Sequence, residues 1–380
     1  MLLRLAVVAT HPIQYQAPLF RALAKEPDLA VKVFYGALPD EKSQGVGFGV
    51  PFRWDVPLLE GYDWTALSRR RSRVASLREG FTGFRPDAVL LLGWGTPLLL
   101  EALRVARSMR LTTLVRGDSN LFKRRPWPMR AAHRALFRLY DGFLVVGKAN
   151  GQLYQASGVS PERLFPCPHF VDNERFRRQS GELRRDRAQL RRSFDIPDGA
   201  VCFLFAGKLQ KKKRLPDLLE ALARLERESH HLLVVGDGPL RRHAQRMAAD
   251  RGLSVTFAGF LNQTKIARAY VAADCLVLPS DAGETWGLVV NEAMACGLPV
   301  IVSDHVGCGP DLVEQDVTGD VFPLGDVLAL ARALARMSDE QRRARLGDAA
   351  RARIARYSVG AAVSGLVSAT RRLLEISCVG

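Results

Sequence analysis

Short, densely apolar runs recur along the chain at 3–9 (LRLAVVA), 31–35, 88–92, 111–115, 143–146 and 164–167, then again at 201–206, 232–235, 255–259, 275–278 and 300–302. Each is too short for a helix and lacks the alternation of a half-exposed strand. Most are followed by a loop and a helical stretch, which is the pattern of parallel strands buried on both faces. A highly charged segment at 177–194, closed by Pro197-Asp198-Gly199, separates the two series. The expected fold class is α/β, with two Rossmann-like domains at 1–176 and 195–358, a basic helical linker at 177–194 and a last helix at 359–380.

With 380 residues and 47% of them hydrophobic, the chain has enough apolar surface for two cores. No run approaches the ~20 apolar residues of a spanning helix. The opening run ends in His11-Pro12 and reads as a first strand rather than a signal peptide, so a cytoplasmic location is expected. Six cysteines lie in mostly apolar surroundings without a CxxC pair, which points to buried thiols and away from a zinc site or disulfide framework. The net charge of +16 is uneven. Residues 1–194 hold 32 Lys and Arg against 17 Asp and Glu, whereas 195–380 hold 23 against 22. Clusters at 69–73, 123–125 and 177–192 make anionic lipid, acidic glycan or nucleic acid conceivable partners of the first half.

The stretch 275–302 carries the most chemistry. It reads as strand, polar loop, helix from Leu288 and second strand, with Glu284 in the loop and Glu292 in the helix. The first N–H groups of the helix, around Leu288 to Val290, have no intrahelical acceptor and suit a phosphate. Glu292 is then placed for ribose hydroxyls and Glu284 for hydroxyls beyond the phosphates. A second feature is Lys208 with the run Lys211-Lys212-Lys213-Arg214 after the 201–206 strand. Fixed cations stabilise the charge that grows on a departing diphosphate, and they do so without a metal. Read alone, the run is a solvated basic face. Gly236-Asp237-Gly238-Pro239 forms a strand-to-helix turn of a common composition.

Glu284-Thr-Trp-Gly-Leu-Val-Val-Asn-Glu292, with Trp286-Gly287-Leu288 inside it, resembles the E-x7-E signature of family-4 retaining glycosyltransferases of the GT-B fold. Lys208 and Lys213 match the Arg and Lys of that family's Gly-Arg-Leu…Lys-Gly element, with Arg214 where Gly is usual. Gly236 to Pro239 resembles its GxGP turn. The resemblance implies two Rossmann-like domains with parallel sheets facing a central cleft, the last helix packing back on the first domain, and sugar transfer from a UDP- or GDP-sugar to an acceptor hydroxyl with retention. It further implies that Glu284 contacts the sugar, Glu292 the ribose and Phe260 the base region. Gly236 and Gly287 to Val289 complete the donor site, and no metal or other cofactor is required. The absence of any Asp-x-Asp agrees with a metal-free site.

The first half matches more loosely. Its HPIQYQAP segment stands where many members have a glycine-rich loop, and it places His11 at the end of the first strand. A His that serves the reacting sugar in many relatives is missing, leaving Arg116 and Asp118 at that place. His169-Phe170 replaces the family's Asn-Gly pair. The basic helix at 129–140 carries Ala132, Leu136 and Leu139 at helical spacing, a stripe expected to face the core. A glycan or lipid-linked intermediate is the expected acceptor, with peripheral contact to an anionic membrane; nucleic acid is not expected as a partner. Two other readings stay open: a GT-B epimerase acting on UDP-sugars, and a non-catalytic basic adaptor for membrane or nucleic acid.

Overall fold

The computed structural model of the chain describes residues 2–45, 51–68, 71–226 and 229–379. Arg69 and Arg70 of the first basic cluster and the Cys378 side chain lie outside what is described. The chain divides into two compact units: Met1–Asp40 with Pro57–Phe170 and Ser358–Gly380, and Glu41–Val56 with Val171–Tyr357.

The first unit is built on β1 (Leu3–Ala9), β2 (Leu29–Tyr35), β3 (Asp63–Ala66), β4 (Ala88–Leu91), β5 (Thr112–Arg116), β6 (Gly142–Val145) and β7 (Leu164–Pro166). They form one sheet in the order β3-β2-β1-β4-β5-β6-β7, with every pair parallel. Alternate side chains of β1 feed opposite layers. Leu5, Val7 and Ala9 pack with Leu19, Phe20 and Leu366, while Ala6 and Val8 pack with Val89, Leu91 and Phe137. Both faces are thus apolar, which is why the strands read as unbroken hydrophobic runs. The helix Val359–Val379 belongs to this unit. It buries Ala362, Val363, Leu366, Ala369 and Leu373. At Gly365 it passes so close to β7 that an added Cβ would stand 2.0 Å from the Pro166 carbonyl oxygen.

The second unit contains β8 (Val201–Ala206), β9 (His230–Val235), β10 (Val255–Gly259), β11 (Cys275–Leu278), β12 (Val300–Ser303) and β13 (Gly319–Phe322), all parallel, in the order β10-β9-β8-β11-β12-β13. The order reverses between β8 and β11. In an open parallel sheet the loops leaving two such strands diverge to opposite faces, and the crevice at their carboxyl ends takes ligands. The loops after β8 and β11 are the ones that carry the lysines and Glu284.

Three expectations change. Residues 177–194, expected as a linker, group with the second unit: the helices Asn173–Leu183 and Arg187–Ser193 lie in its longer segment, Val171–Tyr357. Their charge is used internally, since Arg187 and Arg191 reach Asp274 at 2.6 and 3.1 Å and Leu190 is buried. Residues 41–56, inside the expected first domain at 1–176, group with the second unit and include a short helix, Glu41–Gln44. Of the expected stripe Ala132, Leu136 and Leu139 in and just after the helix Trp127–Phe137, only Leu136 packs against the core. Ala132 and Leu139 are exposed, and Phe137 with Tyr140 turns inward instead. The reason is aromatic: Phe137 packs edge-on to Trp94, Phe143 and Tyr154 with ring centroids 5.1 to 5.5 Å apart, a geometry that adds to the gain from burial alone.

Candidate active site

The loop after β8 opens with Gly207 at φ +148, a left-handed conformation that only glycine takes without strain. It leads to Lys208 and to a single 3-10 turn, Lys211–Lys213. That turn drives Lys213 inward, so that Lys213 is 8% exposed while Lys211 remains at the surface. The Lys213 ammonium forms an ion pair with the Glu284 carboxylate, whose other partner is the Ser280 hydroxyl, donating at 3.3 Å. Lys208 lies within electrostatic reach. Its pKa is lowered, first by partial burial and then by Lys212 and Lys213. The backbone locks the two loops together: Asp281 N–H donates to the Lys212 carbonyl at 2.8 Å, and the Lys212 ammonium donates to the Gly283 carbonyl at 3.1 Å.

The helix Leu288–Ala295 starts at Gly287, at φ +100, where an added Cβ would crowd Leu278 at 2.9 Å. No side chain caps it. Its first N–H groups, on Leu288 and Val289, precede the first internal helix bonds and leave partial positive charge next to the Lys213–Glu284 loop. Trp286 is buried and donates through Nε1 to Asn291 Oδ1 at 2.8 Å, which fixes the turn into the helix. Glu292 lies deeper than the sequence suggests. It is 2% exposed and accepts a hydrogen bond from the Tyr270 hydroxyl at 2.6 Å. The two glutamates therefore do not share one open surface: Glu284 faces the lysine loop and Glu292 the helix Ile266–Ala272.

Gly236 has a packing reason of its own. At φ +124, an added Cβ would stand 2.0 Å from the Gly207 carbonyl oxygen, so the turn after β9 and the lysine loop approach backbone to backbone. Leu209 N–H donates to the Asp237 carbonyl at 2.9 Å across the same contact. Phe260 is met by two aromatic rings that the sequence reading did not single out, Phe52 at 4.3 Å and Trp54 at 6.3 Å between centroids. Asn262 donates to the Arg53 carbonyl at 2.6 Å, and Thr264 N–H to the Asp55 carboxylate at 3.1 Å. Arg175 holds the same loop through the Gln263 carbonyl at 2.7 Å. Phe52, Trp54 and Tyr270 carry no motif, and only the three-dimensional fold reveals them.

In the first unit, His11 follows β1 and shares a hydrogen bond with Thr10 at 3.0 Å; desolvation lowers its pKa, which keeps the imidazole neutral near pH 7. Arg116 ends β5 and is 8% exposed. Its guanidinium donates to the Pro168 carbonyl at 3.2 Å and lies 5.3 Å from the centre of the Phe170 ring, while its Nε is buried without a hydrogen-bond partner. Asp118 is half-buried in the loop beyond Arg116. His169 is half-buried, and desolvation and Arg116 hold its pKa well below the usual value. Among the described residues, no group of three or more His, Cys, Asp or Glu is placed to hold a metal ion.

A family model for group 1 glycosyl transferases matches residues 186–353, the span that contains the lysine loop and both glutamates. The chain is 31% identical over 267 residues to a D-inositol 3-phosphate glycosyltransferase of Thermomonospora curvata, covering 66% of this chain and 60% of that protein. The chain belongs to the group 1 glycosyltransferases. A second relative of this glycosyltransferase is the sulfoquinovosyl transferase of Arabidopsis thaliana, 30% identical over 294 residues, 74% of this chain and 56% of that one. The alignments thus span less than two thirds of either relative's own length. Among solved structures, Anabaena HepE in complex with UDP matches with a TM-score of 0.71 at 16% identity over 100% of both chains. Sucrose-phosphate synthase from Thermosynechococcus elongatus matches with a TM-score of 0.72 at 21% identity, over 98% of this chain and 100% of that one. The fold of this group 1 glycosyltransferase is GT-B.

Proposed function

We propose that the second unit binds a UDP- or GDP-sugar and that the protein transfers the sugar, with retention of anomeric configuration, to a hydroxyl of a glycan or lipid-linked acceptor. The observation that carries this reading is the Lys213–Glu284 pair, held by the two loops that leave the sheet where its strand order reverses, beside an uncapped helix start. The diphosphate takes the N–H groups of Leu288 and Val289. Lys213, 11% exposed at its side chain, then exchanges part of its contact with Glu284 for a phosphate oxygen. That exchange leaves a carboxylate oxygen of Glu284 free to orient a sugar hydroxyl. In the reaction the bond from the anomeric carbon to the phosphate oxygen breaks, a bond from that carbon to the acceptor oxygen forms, and the acceptor proton leaves with the diphosphate. Lys208 and Lys213 stabilise the charge as it develops.

Glu292 takes the ribose in this reading, with the Tyr270 hydroxyl fixing its orientation. Phe260, with Phe52 and Trp54 against it, lies at the end of β10 and lines the base region. His11 and Asp118 are assigned to acceptor handling. The site uses no metal ion. UDP in the Anabaena complex, and UDP-glucose in another structure of the same protein, favour a uridine donor.

The test is thermal stabilisation of the intact chain by a panel of UDP-, GDP-, ADP- and dTDP-sugars, repeated with EDTA, because a ligand that binds only the folded state raises its melting temperature. One UDP- or GDP-sugar should raise it selectively and equally with EDTA present. A shift abolished by EDTA contradicts the metal-free site, and conversion of the donor to an epimer without acceptor contradicts transfer.

A further inference from the structure

Between Ser119 and Tyr140 the chain carries six cations, Lys123, Arg124, Arg125, Arg130, Arg134 and Arg138, and no acidic residue. Over that span the first unit leaves its helix Trp127–Phe137 almost uncovered, with Phe137 as its one buried residue. The apolar side chains there face water: Trp127 is 78% exposed, Met129 48%, Leu139 46% and, from the preceding loop, Leu121 45%. Next to them is a cavity of about 620 Å³ lined by Lys123, Arg124, Arg125, Arg130 and Arg134, with Trp127 at its edge. Arg125 shapes its floor, donating to the Asn120 carbonyl at 2.6 Å and the Lys123 carbonyl at 3.3 Å.

Cations alone would suit any polyanion. Exposed Trp, Met and Leu beside them gain only where acyl chains lie within reach of the phosphates, and Trp is the side chain that settles best at a bilayer interface. We propose that this surface docks on an anionic lipid bilayer, with Trp127, Met129 and Leu121 in the interfacial zone and a phosphate-bearing headgroup in the arginine-lined cavity. The charge complementarity and the exposed apolar rim select this occupant over nucleic acid, which would reward the cations and not the aliphatic side chains. The docking surface stands whether or not the donor assignment holds. Among the described residues no helix is long and apolar enough to cross a membrane, so the contact is peripheral.

The experiment is co-sedimentation of the intact chain with vesicles of phosphatidylcholine alone and of phosphatidylcholine mixed with phosphatidylglycerol, with Trp fluorescence read in parallel. Binding is expected only to the mixed vesicles, with a blue shift that Trp127→Phe removes. Each of Lys123→Ala, Arg124→Ala and Arg130→Ala should weaken partitioning about fivefold, whereas Arg178→Ala, on an exposed site of the other unit, should leave it unchanged. All of these side chains are exposed, so the variants should fold, and their melting temperatures confirm it. No binding to mixed vesicles overturns the proposal, as does binding insensitive to both Trp127 and the cations. Affinity for glycerol phosphate without vesicle binding reduces the cavity to a soluble-anion site. Tighter binding to single-stranded nucleic acid that displaces vesicles assigns the surface to nucleic acid instead.

Discussion

The loop pair after β8 and β11 and the helix Trp127–Phe137 are both rich in charge, and they spend it in opposite ways. At the loop pair the charged groups are sunk and partnered: Lys213 against Glu284, Glu292 against Tyr270. On the helix the cations stand in solvent among uncovered apolar side chains. Desolvated, oriented charges interact strongly at short range and discriminate a small ligand, whereas solvated charges act through summed attraction to an extended surface. The comparison separates a site that should respond to single-atom changes from one that should respond to the number of charges.

The sharpest way to break it is Lys213→Ala. Removing a cation aimed at developing charge should lower kcat by about 10²- to 10³-fold, while Arg138→Ala should leave kcat with a soluble acceptor unchanged. Loss of stability could mimic the first result, because Glu284 would be left buried without its partner. The double variant Lys213→Met/Glu284→Gln removes both charges together and should melt close to the wild type while remaining inactive. Recovery of turnover in the double variant would mean that the pair is only structural.

Next in size is Gly236→Ala. With a Cβ placed 2.0 Å from the Gly207 carbonyl oxygen and φ at +124, the lysine loop must move. A loss of about 2 to 3 kcal/mol in denaturant unfolding is expected, together with weaker nucleotide binding. The same substitution at Gly83, where an added Cβ meets nothing within 4 Å, should cost no more than a few tenths. Equal costs at the two glycines would remove the backbone contact from the account.

Protonation offers a third handle. His231 is buried, with Nδ1 at 2.8 Å from the Ser254 hydroxyl, and burial and then Arg191 depress its pKa to about 4. A depressed folded-state value means that the unfolded chain takes up the proton first. The contribution of this group is present above pH ~6.5 and is lost as the pH falls toward 4, by on the order of 3 kcal/mol at most. Chemical denaturation of wild type and His231→Gln across that window should converge as the pH drops. The smallest effect belongs to Glu292→Gln, which keeps an acceptor for Tyr270 and should weaken nucleotide binding by about tenfold without lowering the melting temperature. A drop in melting temperature with unchanged affinity would make Glu292 a core residue.

Much of the architecture was legible because buried parallel strands need continuous apolar runs. The strands that escaped are the ones without them. β3 (DWTA) lies at a sheet edge with its ends exposed, and β13 (GDVF) offers two apolar residues. The helix Trp127–Phe137 was readable as a helix but not in its facing, since a stripe of small and aliphatic side chains lost to an aromatic cluster assembled from β6 and two other segments. At the site, motif spacing located Lys213, Glu284 and Glu292 without their depth. Tyr270 and the Phe52–Trp54 contact with Phe260 depend on packing between segments far apart in sequence, which no local pattern encodes.

Calorimetric titration of the intact chain with UDP and with GDP, set beside the Lys213→Met/Glu284→Gln variant, tests the central claim most directly. One nucleotide should bind the wild type with 1:1 stoichiometry and bind the variant at least about tenfold more weakly, while vesicle binding stays the same. Equal binding to both proteins, or none to the wild type, would contradict a nucleotide-sugar site at the loop pair.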